Sequence, residues 1–299
     1  MRRVIQPPEP SHFEAAYAPA GHAAFVLRIG DIVIRLRGLP PAVAERLEVR
    51  FDKFAATRFD DGLDIEVCDA DRDYYIDPPE GQEVNPVHLT CDGKRVRFVG
   101  YRLAGIFDTA GRVGRVLLAR GEHEPADRAL ENYIRAAVAW QAAERGGALV
   151  HAASAVWDGK GYLFYGESGA GKSTLSECNR RATIISDDLS LVLPSAAGTP
   201  HLIGTPFRGT YEKGERVVGR FPIAAGFRLV QADVAQVRRV ERVRALSELI
   251  GNLPFVAEGF ARRPDLFGKI ESSFEAVPLM HLHFRKDDSY WDAIREAGL

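Results

Sequence analysis

The feature that most constrains this chain is a glycine-rich segment at residues 166–174 with the sequence GESGAGKST. It matches the pattern G-x-x-x-x-G-K-[S/T], in which glycines let backbone N–H groups turn inward around phosphate oxygens. Strand-like residues precede it at 162–165, and helical sequence starts near Lys172. Strand, loop and helix in this order predict a P-loop for a nucleoside triphosphate with Mg²⁺; a glycine-rich turn with an incidental lysine is the alternative. The predicted nucleotide-binding residues are Gly166, Glu167, Ser168, Gly169, Ala170, Gly171, Lys172, Ser173 and Thr174.

Within this loop, two side chains have distinct expected tasks. Lys172 can reach the β- and γ-phosphates, and the Ser173 hydroxyl can bind Mg²⁺. The N-terminus of the following helix adds partial positive charge near the phosphates.

A pair of acids follows the loop, because apolar residues at 184–185 lead through Ser186 into Asp187 and Asp188. A strand ending in carboxylates beside a P-loop can hold Mg²⁺ and activate a hydroxyl group. Two adjacent acids thus offer one metal ligand and one general base. A solvated Asp-Asp turn is the alternative.

Periodicity divides the chain into two predicted domains. Residues 1–122 indicate a strand-rich α+β domain, and residues 123–299 a P-loop domain of mixed α/β type, with a bridging helix at about 125–145. The first domain is expected to contain a hairpin around Gly30-Asp31, a helix at 41–54 and strands at 63–67, 87–90 and 95–99. The second is expected to contain strands at 149–151, 155–157, 162–165, 183–185, 189–193, 227–231 and 278–284, and helices from 172, at 244–250 and at 290–297.

Overall composition does not point to nucleic acid or a membrane as a partner, although it leaves room for a local basic patch. Lys plus Arg is 39 against 41 for Asp plus Glu, which gives no electrostatic argument for nucleic acid or an anionic membrane. Cys68, Cys91 and Cys178 show no CxxC spacing, so neither a zinc site nor a disulfide framework is indicated. No apolar segment resembling a signal peptide follows Arg2-Arg3, and no run approaches transmembrane length. These features predict a cytoplasmic protein.

The segments LVHAASAVWDGKGYLFYGESGAGKSTLS and ISDDLSLV resemble the catalytic domain of HPr kinase/phosphorylase and related kinases. In that family a histidine on an early strand, a GxSGxGKS loop and a downstream Asp-Asp pair recur in this order. The resemblance is specific over residues 148–193. It implies the fold of phosphoenolpyruvate carboxykinase-type P-loop proteins.

The resemblance also assigns roles to individual residues. It implies that His151 assists acid–base chemistry, although residue logic alone favours an ordinary packed or surface histidine closing a strand at 148–151. Asp188 becomes the proton acceptor from the substrate hydroxyl, and Asp187 supports the metal with Ser173. The implied activity is ATP-dependent, Mg²⁺-requiring phosphorylation of a Ser or Thr hydroxyl on a small protein or peptide. Because family members are often oligomeric, a homo-oligomer is implied as well.

One departure from the family pattern lies at residues 205–209, TPFRG, where the family has Glu-x-Arg-Gly. Arg208 fits and is the expected contact for substrate or phosphate, but Pro206 stands where a Mg²⁺-binding Glu is expected. Glu212 or Glu215 could substitute only in a rearranged loop. The departure predicts a one-way kinase with poor activity on HPr. Kinases from bacterial peptide-maturation clusters, such as those of lasso peptides, are the closer functional model.

Two other functions remain open: a small-molecule phosphotransferase on the same fold, and a non-catalytic ATP-binding regulatory module. Two further patterns are set aside. The DTAG sequence at 108–111 precedes the P-loop, unlike the DxxG of GTPases, and is expected to be a turn. His281 and His283 alternate on a strand without acids or cysteines at metal spacing, which predicts an exposed sheet face.

Overall fold

The computed structural model describes residues 6–78, 86–109, 112–196, 198–207, 209 and 217–299. The protein is of mixed α/β type, as predicted. It divides into two compact units, one formed by Met1–Gln141 with Ala261–Arg263 and the other by Ala142–Phe260 with Pro264–Leu299.

The first unit begins with the predicted hairpin. Strands β1 (Ala23–Ile29) and β2 (Ile32–Leu39) pair antiparallel, and their apolar side chains alternate into the core. Helix α1 (Pro41–Phe51) follows and buries one face. It ends earlier than the predicted 54, because Asp52 adopts a φ of 41° and a 3₁₀ turn replaces the last helical turn.

In the described ranges, the sheet of this unit has seven strands in the order β1-β2-β3-β7-β6-β5-β4. The further strands are β3 (Leu63–Asp69), β4 (His88–Asp92), β5 (Arg95–Val99), β6 (Leu103–Asp108) and β7 (Val113–Leu118). Gly93, with a φ of 59°, forms the predicted turn between β4 and β5. The DTAG sequence is described only to residue 109, so the expected turn there lies partly outside the described residues.

Helix α2 (Ala126–Glu144) matches the helix expected between the domains. Tyr133 anchors it to the sheet: its ring stands edge-on to Phe98 and Phe107, and its hydroxyl donates to the Ile106 carbonyl at 3.0 Å. Residues 126–141 of α2 belong to the first unit. The sequence-based limits at 122 and 123 remain a prediction.

The second unit contains, within the described residues, a sheet of eight strands and four helices. Its elements are β8 (Ala148–Trp157), β9 (Lys160–Tyr165), α3 (Lys172–Cys178), β10 (Thr183–Ser186), β11 (Leu189–Leu193), β12 (His201–Ile203), β13 (Arg220–Gln231), β14 (Gln236–Arg239), α4 (Arg242–Ile250), α5 (Pro264–Phe274), β15 (Leu279–Phe284) and α6 (Tyr290–Glu296). The sequence did not predict β12, β14 or α5.

Strand β8 corrects the expectation of two short strands. It runs unbroken through Ala152 and Ala153 and pairs antiparallel with β9, β10 and β11. Small residues have weak strand preferences of their own, and here pairing with three neighbours outweighs them. His151 therefore lies inside a strand and does not close one.

The two faces of this sheet differ in chemistry. One face is apolar: Phe164 stacks on Phe227 and packs edge-on to Trp291 of α6. On the other face lies His281, which is 8% exposed, with Nε2 2.6 Å from Glu248 Oε2 on α4. The expectation that His281 faces solvent is wrong, because α4 covers that side of the sheet.

None of the described helices combines the length and apolar character needed to cross a membrane.

Candidate functional site

The glycine-rich loop connects β9 to α3, in the predicted strand–loop–helix order. Gly169 and Gly171 have φ values of 82° and 107°, a region that side chains disfavour. A Cβ atom at Gly171 would also lie 2.5 Å from Cζ of Phe284. From the end of β13, Gln231 Nε2 donates to the Gly169 carbonyl at 2.8 Å and ties the loop to the sheet.

Lys172, the first residue of α3, folds back over this loop. Its side chain is buried, and Nζ donates to the carbonyls of Gly166 at 2.7 Å and Glu167 at 3.3 Å. Burial lowers the pKa of Lys172, and the charge of Asp188 opposes that shift. The amine is thus held at the loop by the loop's own carbonyls.

The acid pair lies between β10 and β11, at the same end of the sheet. Asp187 is buried, and its Oδ1 accepts a hydrogen bond from the Gly209 N–H at 3.0 Å. The Asp188 carbonyl accepts the Ala152 N–H at 2.9 Å, which attaches the pair to β8. The burial of Asp187 differs from the solvated turn that was the alternative.

His151 comes close to this pair. Its Nε2 lies 3.6 Å from Asp188 Oδ1, and its backbone N–H donates to the Asn252 carbonyl at 2.8 Å. Burial and the nearby Lys172 lower the pKa of His151, while Asp188 acts in the opposite direction. The net shift favours the neutral form of the imidazole.

The residues expected to hold Mg²⁺ are Ser173 and Asp187. Among the described residues, no group of three or more His, Cys, Asp or Glu side chains is arranged to hold a metal ion. Mg²⁺ in nucleotide sites takes only one or two protein ligands, and phosphates and water complete the shell. A hydroxyl beside the loop and a buried carboxylate held by a backbone N–H are a donor set that fits this requirement.

The segment before Arg208 is anchored beside the acids. Thr205 Oγ1 donates to the Leu189 carbonyl at 2.8 Å, and Phe207 is buried. Arg208 itself lies outside the described residues, as do Glu212 and Glu215, so the expected phosphate contact stays a prediction.

A cavity of about 590 Å³ opens beside the loop. It is lined by His151, Gly166, Glu167, Ser168, Arg228, Ser247, Glu248, Gly251, Asn252, Leu253 and Pro254. Sequence reasoning missed Arg228, Glu248 and Asn252, which β13, α4 and the turn after α4 contribute. The one local signal was a charged residue, Arg228, inside the apolar run of β13.

The chain is a mixed α/β protein. Its second unit places Lys172, His151 and the acid pair around a glycine-rich loop. No protein-family model and no curated protein matches it.

Proposed function

We propose that the chain is a Mg²⁺-dependent kinase that transfers the γ-phosphoryl group of ATP to a Ser or Thr hydroxyl of a small protein or peptide. The second unit would then have the P-loop arrangement of the HPr kinase and phosphoenolpyruvate carboxykinase type. The observation that supports this most directly is the meeting of Lys172, His151 and Asp188 at the loop. Lysine at the phosphates and a carboxylate facing a histidine are the groups that phosphoryl transfer to a hydroxyl requires.

In the proposed reaction, Asp188 orients the acceptor hydroxyl and takes its proton. The hydroxyl oxygen then forms a bond to the γ-phosphorus while the bond from that phosphorus to the β,γ-bridging oxygen breaks, and ADP leaves. Lys172 neutralises charge on the phosphate oxygens during this step. Mg²⁺, held by Ser173 and Asp187 with the phosphates, supplies further charge neutralisation when bound.

His151 would assist through Asp188. With Nε2 3.6 Å from the carboxylate, the imidazole would share the proton that Asp188 receives. The buried Asp187, oriented by Gly209, is better suited to a metal than to a mobile acceptor group.

The test is phosphate transfer by the intact protein. Small proteins encoded by the genes next to that of this protein would be incubated with the intact protein and Mg·ATP. Mass spectrometry would then detect a gain of one phosphate on Ser or Thr. Asp188→Asn should abolish that gain yet leave Mg·ATP binding by titration calorimetry largely intact. Asp187→Asn should instead weaken the Mg²⁺ dependence. Equal loss of nucleotide binding in both variants, with no separate transfer defect, would contradict these roles.

The same assays separate the rival functions. A gain of phosphate on small-molecule hydroxyls alone would indicate a metabolite phosphotransferase. Tight ATP binding with no transfer, unchanged in Asp188→Asn, would indicate a regulatory module.

A further inference from the structure

A row of polar side chains crosses the sheet of the second unit beneath α4. Tyr165 of β9, Arg228 of β13 and His281 of β15 are register partners across parallel strands, so all three stand on one face. The flanking residues of these strands belong to the apolar face.

Glu248 of α4 contacts this row through His281, and its carboxylate already has two hydrogen-bond donors. Its carboxylate accepts hydrogen bonds from His281 Nε2 at 2.6 Å and Arg244 Nε at 3.1 Å. Burial opposes ionisation of Glu248, but these hydrogen bonds outweigh it and hold its pKa below the usual value. The Glu248 carboxylate is therefore held in its ionised form by hydrogen bonds from His281 and Arg244.

Arg228, in contrast, makes only two long ion pairs with carboxylates of the residues that the structure describes. Its nearest carboxylate oxygens are Glu248 Oε1 at 3.9 Å and Glu167 Oε1 at 3.7 Å, both beyond hydrogen-bond length. The Glu167 side chain is 89% exposed, whereas that of Arg228 is 28% exposed and lines the cavity. Since a guanidinium has five N–H donors, the cavity wall offers several to oxygen atoms of a ligand.

The cavity lies beside the part of the loop that holds the Lys172 amine. Its wall includes Gly166 and Glu167, whose carbonyls hold the Lys172 amine. A P-loop lysine contacts the β- and γ-phosphates. His151 lines the same cavity, so Arg228 shares it with the groups of the transfer reaction.

We propose that Arg228 binds the γ-phosphoryl group in cis and stabilises its charge during transfer. This inference rests on the proposed kinase function and adds a substrate-contacting residue to it. Charge on the transferred group is spread over three equatorial oxygens, and an arginine beside them lowers the barrier. The fork of the guanidinium suits such oxygens better than a lysine amine does.

The experiment compares two nucleotides that differ only at the γ position. Titration calorimetry would measure affinities for Mg·ADP and for the Mg²⁺ complex of the β,γ-imido analogue of ATP. Arg228→Gln should weaken binding of the analogue by about tenfold or more, as expected for lost charged hydrogen bonds, and change ADP affinity by less than about twofold. Arg228→Lys should recover part of the loss, because charge remains without the fork.

Arg238→Gln is the matched control. Arg238 is the register partner of His281 on β14 and is exposed, and it does not line the cavity. This variant removes the same charge from the same sheet and should bind both nucleotides as wild type does. Retained ADP affinity in Arg228→Gln also shows that the variant is folded.

The outcomes separate the two proposals. If wild type binds both nucleotides and Arg228→Gln weakens both equally or neither, the role of Arg228 is overturned while the kinase proposal stands. If wild type binds neither nucleotide, the P-loop assignment fails and this inference fails with it. Selective loss of the analogue supports the γ-phosphoryl contact.

Discussion

Burial and the charge of Asp188 have opposite effects on the pKa of the Lys172 amine. The amine is buried, satisfied by two carbonyls of its own loop and close enough to Asp188 for the two charges to interact. A flexible surface lysine would lose more side-chain entropy on ordering around phosphates. Because the loop already holds the amine, less ordering remains for the nucleotide to induce.

Replacing Lys172 by Ala should lower ATP turnover on the order of 10²-fold, since a lost preorganised donor costs roughly 3 kcal/mol in the transition state. The measurement is steady-state release of ADP with saturating Mg²⁺. Circular dichroism of the variant controls for folding. Turnover equal to that of wild type would show that the loop is not a P-loop.

The acids show what residue patterns leave undecided. Asp187 and Asp188 are neighbours with the same side chain, so residue type alone does not tell which one binds metal and which accepts a proton; the resemblance supplied that assignment. In the structure, Asp187 is buried against Gly209, while Asp188 faces His151. Different surroundings, and not different chemistry, divide the roles that we propose.

At the scale of elements, the loop depends on one strand that is remote in sequence. Phe284 of β15, part of the apolar core, stands against Gly171. Gly169 has a similar backbone conformation, but no atom of the described residues lies within 4 Å of where its Cβ would be. Substitution at Gly169 therefore tests backbone strain alone, whereas substitution at Gly171 tests strain together with a steric clash.

Gly169→Ala should lower the free energy of unfolding by about 1–2 kcal/mol, because the left-handed conformation strains an alanine. Gly171→Ala adds a contact with a buried ring that cannot move cheaply, so it should lower both nucleotide affinity and the thermal midpoint further. Calorimetric titration with Mg·ATP and thermal denaturation would compare the pair. Equal effects of the two substitutions would contradict the role of Phe284.

Element by element, local patterning predicted the hairpin, α1, α2, the strand–loop–helix unit and α4, because each has strong periodicity or turn residues of its own. Local patterning failed where the structure of a segment depends on elements that are distant in sequence. Strand β8 crosses a weak Ala-Ala-Ser stretch through pairing on both edges, and His281 becomes buried because α4 lies over it. Neither neighbour is visible within a short window of sequence.

At the scale of the whole molecule, pH acts on the first unit through Glu124. This carboxyl is buried, and burial raises its pKa to about 7, while Arg102 and a hydrogen bond from Asn132 oppose the shift. A folded-state pKa above the unfolded value means that its contribution to stability is present at low pH. That contribution is lost as pH rises through about 7.

Glu124→Gln should therefore reduce the fall in the free energy of unfolding between about pH 5 and about pH 8, because the amide cannot ionise. Urea denaturation at both pH values measures the effect. Glu122→Gln, at an exposed position two residues earlier, is the control and should follow wild type. If both variants keep the wild-type pH dependence, the shift assigned to Glu124 is wrong.

The proposed kinase function carries a prediction about the direction of the reaction. Under that proposal, Pro206 stands where the family that the sequence resembles has a metal-binding Glu. Phosphorolysis needs phosphate held beside a phosphoserine, and losing one metal ligand weakens that anion site more than the loop. A phosphorylated product should thus persist in excess inorganic phosphate, as followed by mass spectrometry. Rapid return to the unmodified mass, with pyrophosphate released, would show a reversible enzyme.

The loop, its lysine, the acid pair and the order of strand and helix around them could be read from the sequence, because they depend on contiguous residues and local backbone geometry. The surroundings of the loop depend on how distant segments pack. Arg228, Glu248 and His281 belong to three separate elements, and they meet because β13 and β15 pair in parallel while α4 packs across them. Parallel pairing joins segments that are distant along the chain, so no local pattern encodes which side chains it brings together.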